Sequence, residues 1–218
     1  MKKRLVISIF IFFFLTTITT KNTVKVAKFN LKEIYIENNS LLNKKDIKNQ
    51  LISIYDKNLI FLSNIEIEKE LMKNSFIEGF NIKKKYPDTL KIRIFEKKPI
   101  AILLKNKKKY YLSEKIDLIE YKSFQNLQNL PYVIGNENEF KNFYFNLKKI
   151  DFPFEIVNKF ILYESKRWDI ETVNKNTIKL PSKNYLESLE SYLKLRNQIE
   201  TKEYKVFDYR INNQLILK

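Results

Sequence analysis

Tyr86-Pro87-Asp88-Thr89-Leu90-Lys91-Ile92-Arg93-Ile94-Phe95-Glu96-Lys97-Lys98-Pro99-Ile100-Ala101 decides the reading of the fold. Leu90, Ile92 and Ile94 alternate with Lys91, Arg93 and Phe95, and the pattern holds until Phe95. That period marks a half-buried strand. Tyr86-Pro87-Asp88-Thr89 is a turn with Pro at its second position, so Phe76 to Lys85 reads as the preceding strand. Further upstream, Ser63-Asn64-Ile65-Glu66 matches a capping box and opens a helix with Leu71 and Met72 on its inner face. Before that, Asn43 is a candidate N-cap with Asp46 in the first turn, and Ile47, Leu51 and Ile54 follow at helical spacing. Phe29 to Ile36 reads as a strand, closed by the turn Asn38-Asn39-Ser40. The order is β-α-α-β-β, in which two helices cover one face of a three-stranded sheet, a compact α+β unit.

After Pro99 the pattern is mostly β, with two helices. Ile100 to Leu104, Lys109 to Leu112 and Lys115 to Ile119 are short strands separated by polar turns. Asn136 begins a helix that sets Phe140, Phe143 or Tyr144, Leu147 and Ile150 on one face. Its acids come early and Lys148 and Lys149 late, as the helix dipole favours. Phe160 to Glu164, Trp168 to Thr172 and Thr177 to Leu180 read as an antiparallel meander. A last helix is expected over Lys183 to Ile199, with Leu186, Leu189, Leu193 and Arg196 on successive turns, and then strands Lys205 to Tyr209 and Leu215 to Leu217.

The N-terminus has a different character. Met1-Lys2-Lys3-Arg4 precedes a stretch from Leu5 to Thr20 with no charged residue. Residues 5–20, with Leu5, Phe10, Phe14 and Ile18 along them, are the expected transmembrane helix. Such a helix spans about 24 Å, short of a hydrocarbon core of roughly 30 Å. Lys2, Lys3, Arg4 and Lys21 can snorkel to close the gap. The positive-inside rule then puts residues 1–4 in the cytoplasm and the remainder outside. A cleaved signal peptide is the competing reading. Thr16-Thr17-Ile18-Thr19-Thr20-Lys21-Asn22-Thr23 contains no small-x-small site, so an uncleaved signal anchor is expected.

Composition removes most enzyme classes. The 218 residues include no cysteine and no histidine, which excludes disulfides, lipid attachment at cysteine, Cys/His zinc sites and Ser-His-Asp triads. Gly79 and Gly135 are too isolated for a phosphate-binding loop. Lys plus Arg is 41 against 25 for Asp plus Glu, a net charge of +16. Lys83 to Lys85 and Lys107 to Lys109 lie beside strands, where solvated Lys protects sheet edges, so no nucleic-acid partner is expected. Glu66/Glu68 and Glu187/Glu190 lie on helix patterns with Lys nearby and read as surface charge rather than glycosidase carboxylates. No catalytic residue, cofactor, metal or small-molecule substrate is expected.

With its elements in this order, the chain resembles the FtsQ/DivIB family of bacterial cell-division proteins. Tyr86 to Ala101 is like the family's aromatic-Pro-Asp/Asn-x-Leu turn, its alternating strand ending in Glu, and the Pro-x-Ala that follows. Lys166-Arg167-Trp168-Asp169-Ile170 resembles its basic-basic-x-Trp segment with one position shifted. Phe207-Asp208-Tyr209-Arg210 is similar to its Val-Asp-Leu-Arg before the last strand. The resemblance implies a cytoplasmic tail (1–4), a transmembrane helix (5–20), a POTRA domain (29–98) and a C-terminal β domain (99–218). It also implies a non-enzymatic divisome scaffold at the septum, in the inner membrane with its C-terminal region periplasmic. Such a scaffold links early and late division proteins and helps regulate septal peptidoglycan synthesis by binding an FtsB-like partner associated with an FtsL-like one. The alternative is another POTRA-bearing exported assembly or transport accessory, but no internal repeat or barrel-length strand series is present.

For the site, Leu215-Ile216-Leu217 is apolar and terminal, the position of a sheet-edge strand to which a partner strand can add. Arg210 is expected to pair with a partner carboxylate, beside Ile211, Leu215 and Leu217, with Lys166 and Arg167 as a second basic contact. The residues alone equally allow Leu215 and Leu217 to face the core and Arg210 to be merely solvated; the resemblance favours binding. Trp168 is expected in the core.

Overall fold

A computed structural model describes residues 2–17, 26–196, 204–211 and 214–218, with side chains described for 6–14 and from 28 onward within those ranges. Helix α1 is Lys2–Thr17. Phe10 and Phe14 on it are exposed, while the Leu5 side chain and Ile18 lie outside the described residues. Among the described residues no helix is long and apolar enough to cross a membrane.

The chain divides into two units. The first comprises Met1–Asn39, Asn43–Lys73 and Phe80–Ile94; the second comprises Ser40–Leu42, Asn74–Gly79 and Phe95–Lys218. The first holds β1 (Glu33–Glu37), α2 (Lys44–Gln50) and α3 (Asn64–Leu71). Strands β2 (Ile77–Lys85) and β3 (Thr89–Glu96) complete a three-stranded sheet of order β1-β3-β2, with β1 parallel to β3. Asn43 caps α2 by accepting the Lys45 N–H at 2.8 Å, and Ser63 caps α3 by accepting the Glu66 N–H at 3.2 Å. Leu62 and Ile67, on either side of the Ser63 cap, are both buried, the two positions of a hydrophobic staple. Ile47, Leu51, Ile54 and Leu71 bury the helical faces, and Ile34, Ile36, Leu90 and Ile92 bury the strand faces.

Two sequence expectations fail in this unit. Phe29 to Lys32 is not strand: Val26–Phe29 is a 3-10 turn, and Asn30 forms a single bridge to Asn58. The backbone there bonds sideways to a loop, Leu31 N–H to the Lys57 carbonyl (2.9 Å) and Leu59 N–H to the Phe29 carbonyl (2.7 Å). Met72 is 48% exposed rather than inward, because α3 ends at Leu71 and Met72 is its C-cap.

The second unit is built on a nine-stranded sheet. Its strands are β4 (Pro99–Lys105), β5 (Lys108–Ser113), β6 (Leu118–Glu120), β7 (Tyr132–Ile134) and β8 (Val157–Leu162). The others are β9 (Trp168–Thr172), β10 (Thr177–Lys179), β11 (Val206–Asp208) and β12 (Ile216–Leu217). The order is β12-β11-β10-β9-β8-β7-β4-β5-β6. The pairs β4–β7, β7–β8 and β10–β11 are parallel and the others antiparallel. A parallel return needs a crossover; α4 (Glu137–Lys149) supplies it between β7 and β8, and α5 (Tyr185–Arg196) between β10 and β11. Asn106 and Lys107 both have positive φ between β4 and β5, the backbone of a two-residue primed turn.

One transverse row, Leu103, Val133, Phe160, Ile170, Ile178, Phe207 and Leu217, runs across the sheet from β4 to β12. Both helices pack on this face. Phe143 stacks on Trp168 at 4.8 Å, Phe140 meets Phe160 at 5.3 Å, and Tyr192 meets Phe207 edge-on at 5.1 Å. Trp168 is therefore core, as expected. Phe143 and Tyr144 are both buried, where the sequence left one or the other. On α5 the buried residues are Leu189 and Tyr192, with Leu186 only half-buried; residues 197–199 lie outside the described residues. The expected strand over Lys115 to Ile119 shifts to β6, because Ile116 takes a positive φ in the turn.

Candidate partner-binding edge

β12 forms one edge of the nine-stranded sheet. The Lys218 N–H donates to the Val206 carbonyl (3.1 Å) and the Val206 N–H to the Lys218 carbonyl (2.9 Å), a bonded antiparallel pair. Bonded and non-bonded pairs alternate along such a ladder. Leu217, opposite Phe207, thus turns its N–H and C=O away from β11 to the open edge, while Ile216, opposite Asp208, bonds inward. This orientation is what a strand added from outside requires.

The side chains divide as the alternation dictates. Leu215 and Leu217 pack partly buried against the core, so they do not read a partner from the outer face. Ile216 and Ile211 are the exposed apolar residues, at 37% and 52%. Pro181, Glu187, Ser191, Tyr209, Ile211 and Leu215 are among the residues lining a cleft of about 470 Å³ beside β12, which brings two of the expected site residues together.

On the outer face, register aligns Asp169, Lys179, Asp208 and Ile216 across β9, β10, β11 and β12. The two aspartates are almost fully buried. Arg210 grips Asp208 with both arms of its fork, Nε to Oδ1 at 2.8 Å and Nη2 to Oδ2 at 2.5 Å. Arg167 donates from Nε to Asp169 Oδ1 at 3.1 Å and lies over the Tyr163 ring at 4.4 Å. The Arg210 guanidinium holds the Asp208 carboxyl below its ordinary value. Burial pushes the Asp169 carboxyl up, against the pull of Arg167 and Lys179.

The structure thus brings Arg167 and Arg210 to one charged row but occupies both with partners in the same chain. Lys166 points elsewhere, to Glu139. Asp169, Asp208 and Lys179 were not expected as site residues. Their signal lies in the mirrored spacings Arg167-x-Asp169 and Asp208-x-Arg210, since residues two apart on a strand share a face.

Residues 29–97 match the model of the POTRA domain, FtsQ-type. The chain is 26% identical over 212 residues to the cell division protein FtsQ of Rickettsia conorii, covering 94% of this chain and 78% of that protein. The figures for the Rickettsia felis protein of that name are the same. The Agrobacterium fabrum cell division protein FtsQ is 22% identical over 208 residues, 93% of this chain and 65% of that protein. The first unit thus carries a match to the FtsQ-type POTRA domain, and over nearly its whole length the chain is similar to bacterial proteins named cell division protein FtsQ.

Proposed function

We propose that this protein is a non-enzymatic divisome scaffold that binds an FtsB/FtsL-like complex by strand addition at β12. It is held in the inner membrane by α1 with its C-terminal region in the periplasm, and helps regulate septal peptidoglycan synthesis from there. The observation that carries the binding is the outward-turned backbone of Leu217 on an edge strand. Arg210 and Arg167 stand along the adjoining row with both aspartates already neutralised locally, leaving the exposed part of Arg210 toward an acidic partner segment. Bonds to backbone would supply affinity, and Ile216 with the adjoining cleft would select side chains.

The anchor reading is supported by the uncharged run from Leu5 to Thr20 behind Lys2-Lys3-Arg4. Within α1 (Lys2–Thr17) the uncharged part from Leu5 to Thr17 rises about 20 Å, and Lys2, Lys3 and Arg4 at its start extend the effective length by snorkelling.

Co-expression with the FtsB-like and FtsL-like proteins of the same organism, followed by membrane extraction and affinity capture, tests the scaffold role. Full-length protein is expected to retain both partners, and a form lacking residues 214–218, still folded by circular dichroism although less stable, to lose them. Equal capture by the two forms would exclude β12 as the binding edge.

A further inference from the structure

The three most exposed large apolar side chains described outside α1 are Phe61 (76%), Ile65 (75%) and Ile52 (71%), all in the first unit. Phe61 and Ile65 flank the Ser63 cap of α3, next to the half-exposed Ile60. Nothing in the packing of this unit requires them: Leu59, Leu62 and Ile67 already fill the core from the same stretch.

Their position gives them a use. The loop that carries them is bonded to the segment by which the chain enters this unit, through the Asn30–Asn58 bridge and the Leu59 N–H to Phe29 carbonyl bond. The β2–β3 turn adjoins the same segment. Lys32 and Glu33 donate their N–H groups to the Asp88 carbonyl, and Phe29 meets the exposed Tyr86 ring at 6.3 Å. Lys84 donates to the Leu62 carbonyl, tying β2 to the loop as well. One pole thus carries Ile60, Phe61, Ile65 and Tyr86 around the entry point.

Lys28, Lys32, Lys57, Lys83, Lys84 and Lys85 adjoin these segments in sequence, against Glu33, Asp56, Glu66 and Asp88. Lys57 pairs with Glu66, and the five other lysines against Glu33, Asp56 and Asp88 leave the pole with a net positive charge. Eleven residues, 18–28, separate α1 from Phe29, a reach of at most about 40 Å. The tether from α1 therefore ends on this pole.

We propose that this pole is a membrane-contact surface: Phe61, Ile65, Ile60 and Tyr86 seat in the interfacial zone of an anionic phospholipid bilayer, with the surrounding lysines on its headgroups. Exposed aromatic and aliphatic groups within a basic rim are the chemistry of interfacial binding, and aromatic rings favour the headgroup level. The inference rests on the reading of α1 as a membrane anchor. It would fix how the first unit stands on the membrane from which the binding edge is presented.

The chain has no cysteine, so Phe10→Cys, Phe61→Cys and Ile65→Cys each accept one nitroxide in the full-length protein. The labelled proteins are reconstituted in vesicles of phosphatidylcholine and phosphatidylglycerol. Collision with oxygen, which concentrates in lipid, is compared with collision with a water-soluble nickel chelate. Labels at 61 and 65 are expected to favour oxygen, as does the label at 10. Labels at 61 and 65 that favour the chelate while position 10 favours oxygen would overturn the contact and leave the anchor standing. Labels at 61 and 65 shielded from both reagents would mean that a protein partner or a second copy covers the pole, which also overturns it. A label at 10 that favours the chelate would refute the anchor; the readings at 61 and 65 then decide the contact by themselves.

Discussion

Arg210 holds both carboxylate oxygens of Asp208, at 2.8 and 2.5 Å, and Asp208 is almost fully buried while Arg210 remains half-exposed. Removing the arginine strands a buried charge, a larger loss than the pair's net worth. Arg210→Glu therefore cannot serve as a pure binding probe, because it sets a second carboxylate against Asp208. Arg210→Ala is expected to destabilise the protein by about 1–3 kcal/mol, and Asp208→Asn with Arg210→Ala to recover most of that loss. Urea unfolding of the two single variants and the double closes the cycle. Additive losses would show that the contact contributes nothing.

The two buried aspartates predict opposite responses to acid. Arg210 lowers the folded Asp208 carboxyl, so its stabilisation is present above the unfolded value and is lost as pH falls toward the folded one. Burial raises Asp169, so the folded state takes up that proton first and gains stability as pH falls through the raised value. Between neutral pH and about 4, Asp169→Asn should lose more stability than the unmodified protein, and in the more acidic range Asp208→Asn should lose less. Melting temperatures across that range, showing the same slope in all three proteins, would contradict the assignment.

Gly135 lies against Leu162 so closely that an added Cβ would stand 2.7 Å from the Leu162 Cβ and 3.4 Å from the Trp168 ring. The Leu162 Cβ is fixed to the backbone of β8, so the approach is relieved only by moving main chain. Gly135→Ala is expected to cost about 1–3 kcal/mol, the usual penalty of overpacking, read as a fall of several degrees in melting temperature. An unchanged melting temperature would mean that the β7–α4 junction relaxes freely.

Membrane-extracted protein should retain the sequence Met1-Lys2-Lys3-Arg4, or the same without its initiator Met, at its N-terminus. N-terminal sequencing reads this directly. A start near Thr20 or Lys21 would make the segment a cleaved signal instead.

How far the fold could be read from sequence follows from where periodicity operates. The capping groups of α2, α3 and α4 stand at Asn43, Ser63 and Asn136 as their side-chain chemistry indicates, and the meander β8–β9–β10 carries enough alternation to be recognised. β7 has three residues behind Pro131, too few for any period to register, and with it the parallel pairs β4–β7 and β7–β8 were illegible. The charged row was hidden for another reason. Arg167-x-Asp169 and Asp208-x-Arg210 are local signals, but their alignment through Lys179 depends on strands that pair only after α5 returns the chain. The edge position of Leu215 to Leu217 was legible; the direction of its hydrogen bonds needed the register with Val206.

That register makes the last strand testable residue by residue. Leu217 spends its N–H on no partner in the sheet, whereas Ile216 lies opposite Asp208 in a bonded pair. Proline removes a donor and fixes φ near the extended range, so the two positions should respond differently. Leu217→Pro leaves the β11–β12 ladder intact but takes away the outward donor and puts a ring where the added strand's carbonyl would sit. Losing one such bond costs about 1 kcal/mol and the steric conflict adds to it, so capture of the FtsB-like partner should weaken by roughly tenfold or more, while the fall in melting temperature should match that of Leu217→Ala, which loses the same packing on the core. Leu217→Ala keeps the donor and loses only part of a half-buried side chain, so it should bind far better than Leu217→Pro. Ile216→Pro removes a bond of the sheet itself, detaching β12 and lowering stability and binding together. If Leu217→Pro captures the partner as well as Leu217→Ala does, the partner does not add to this edge as a strand.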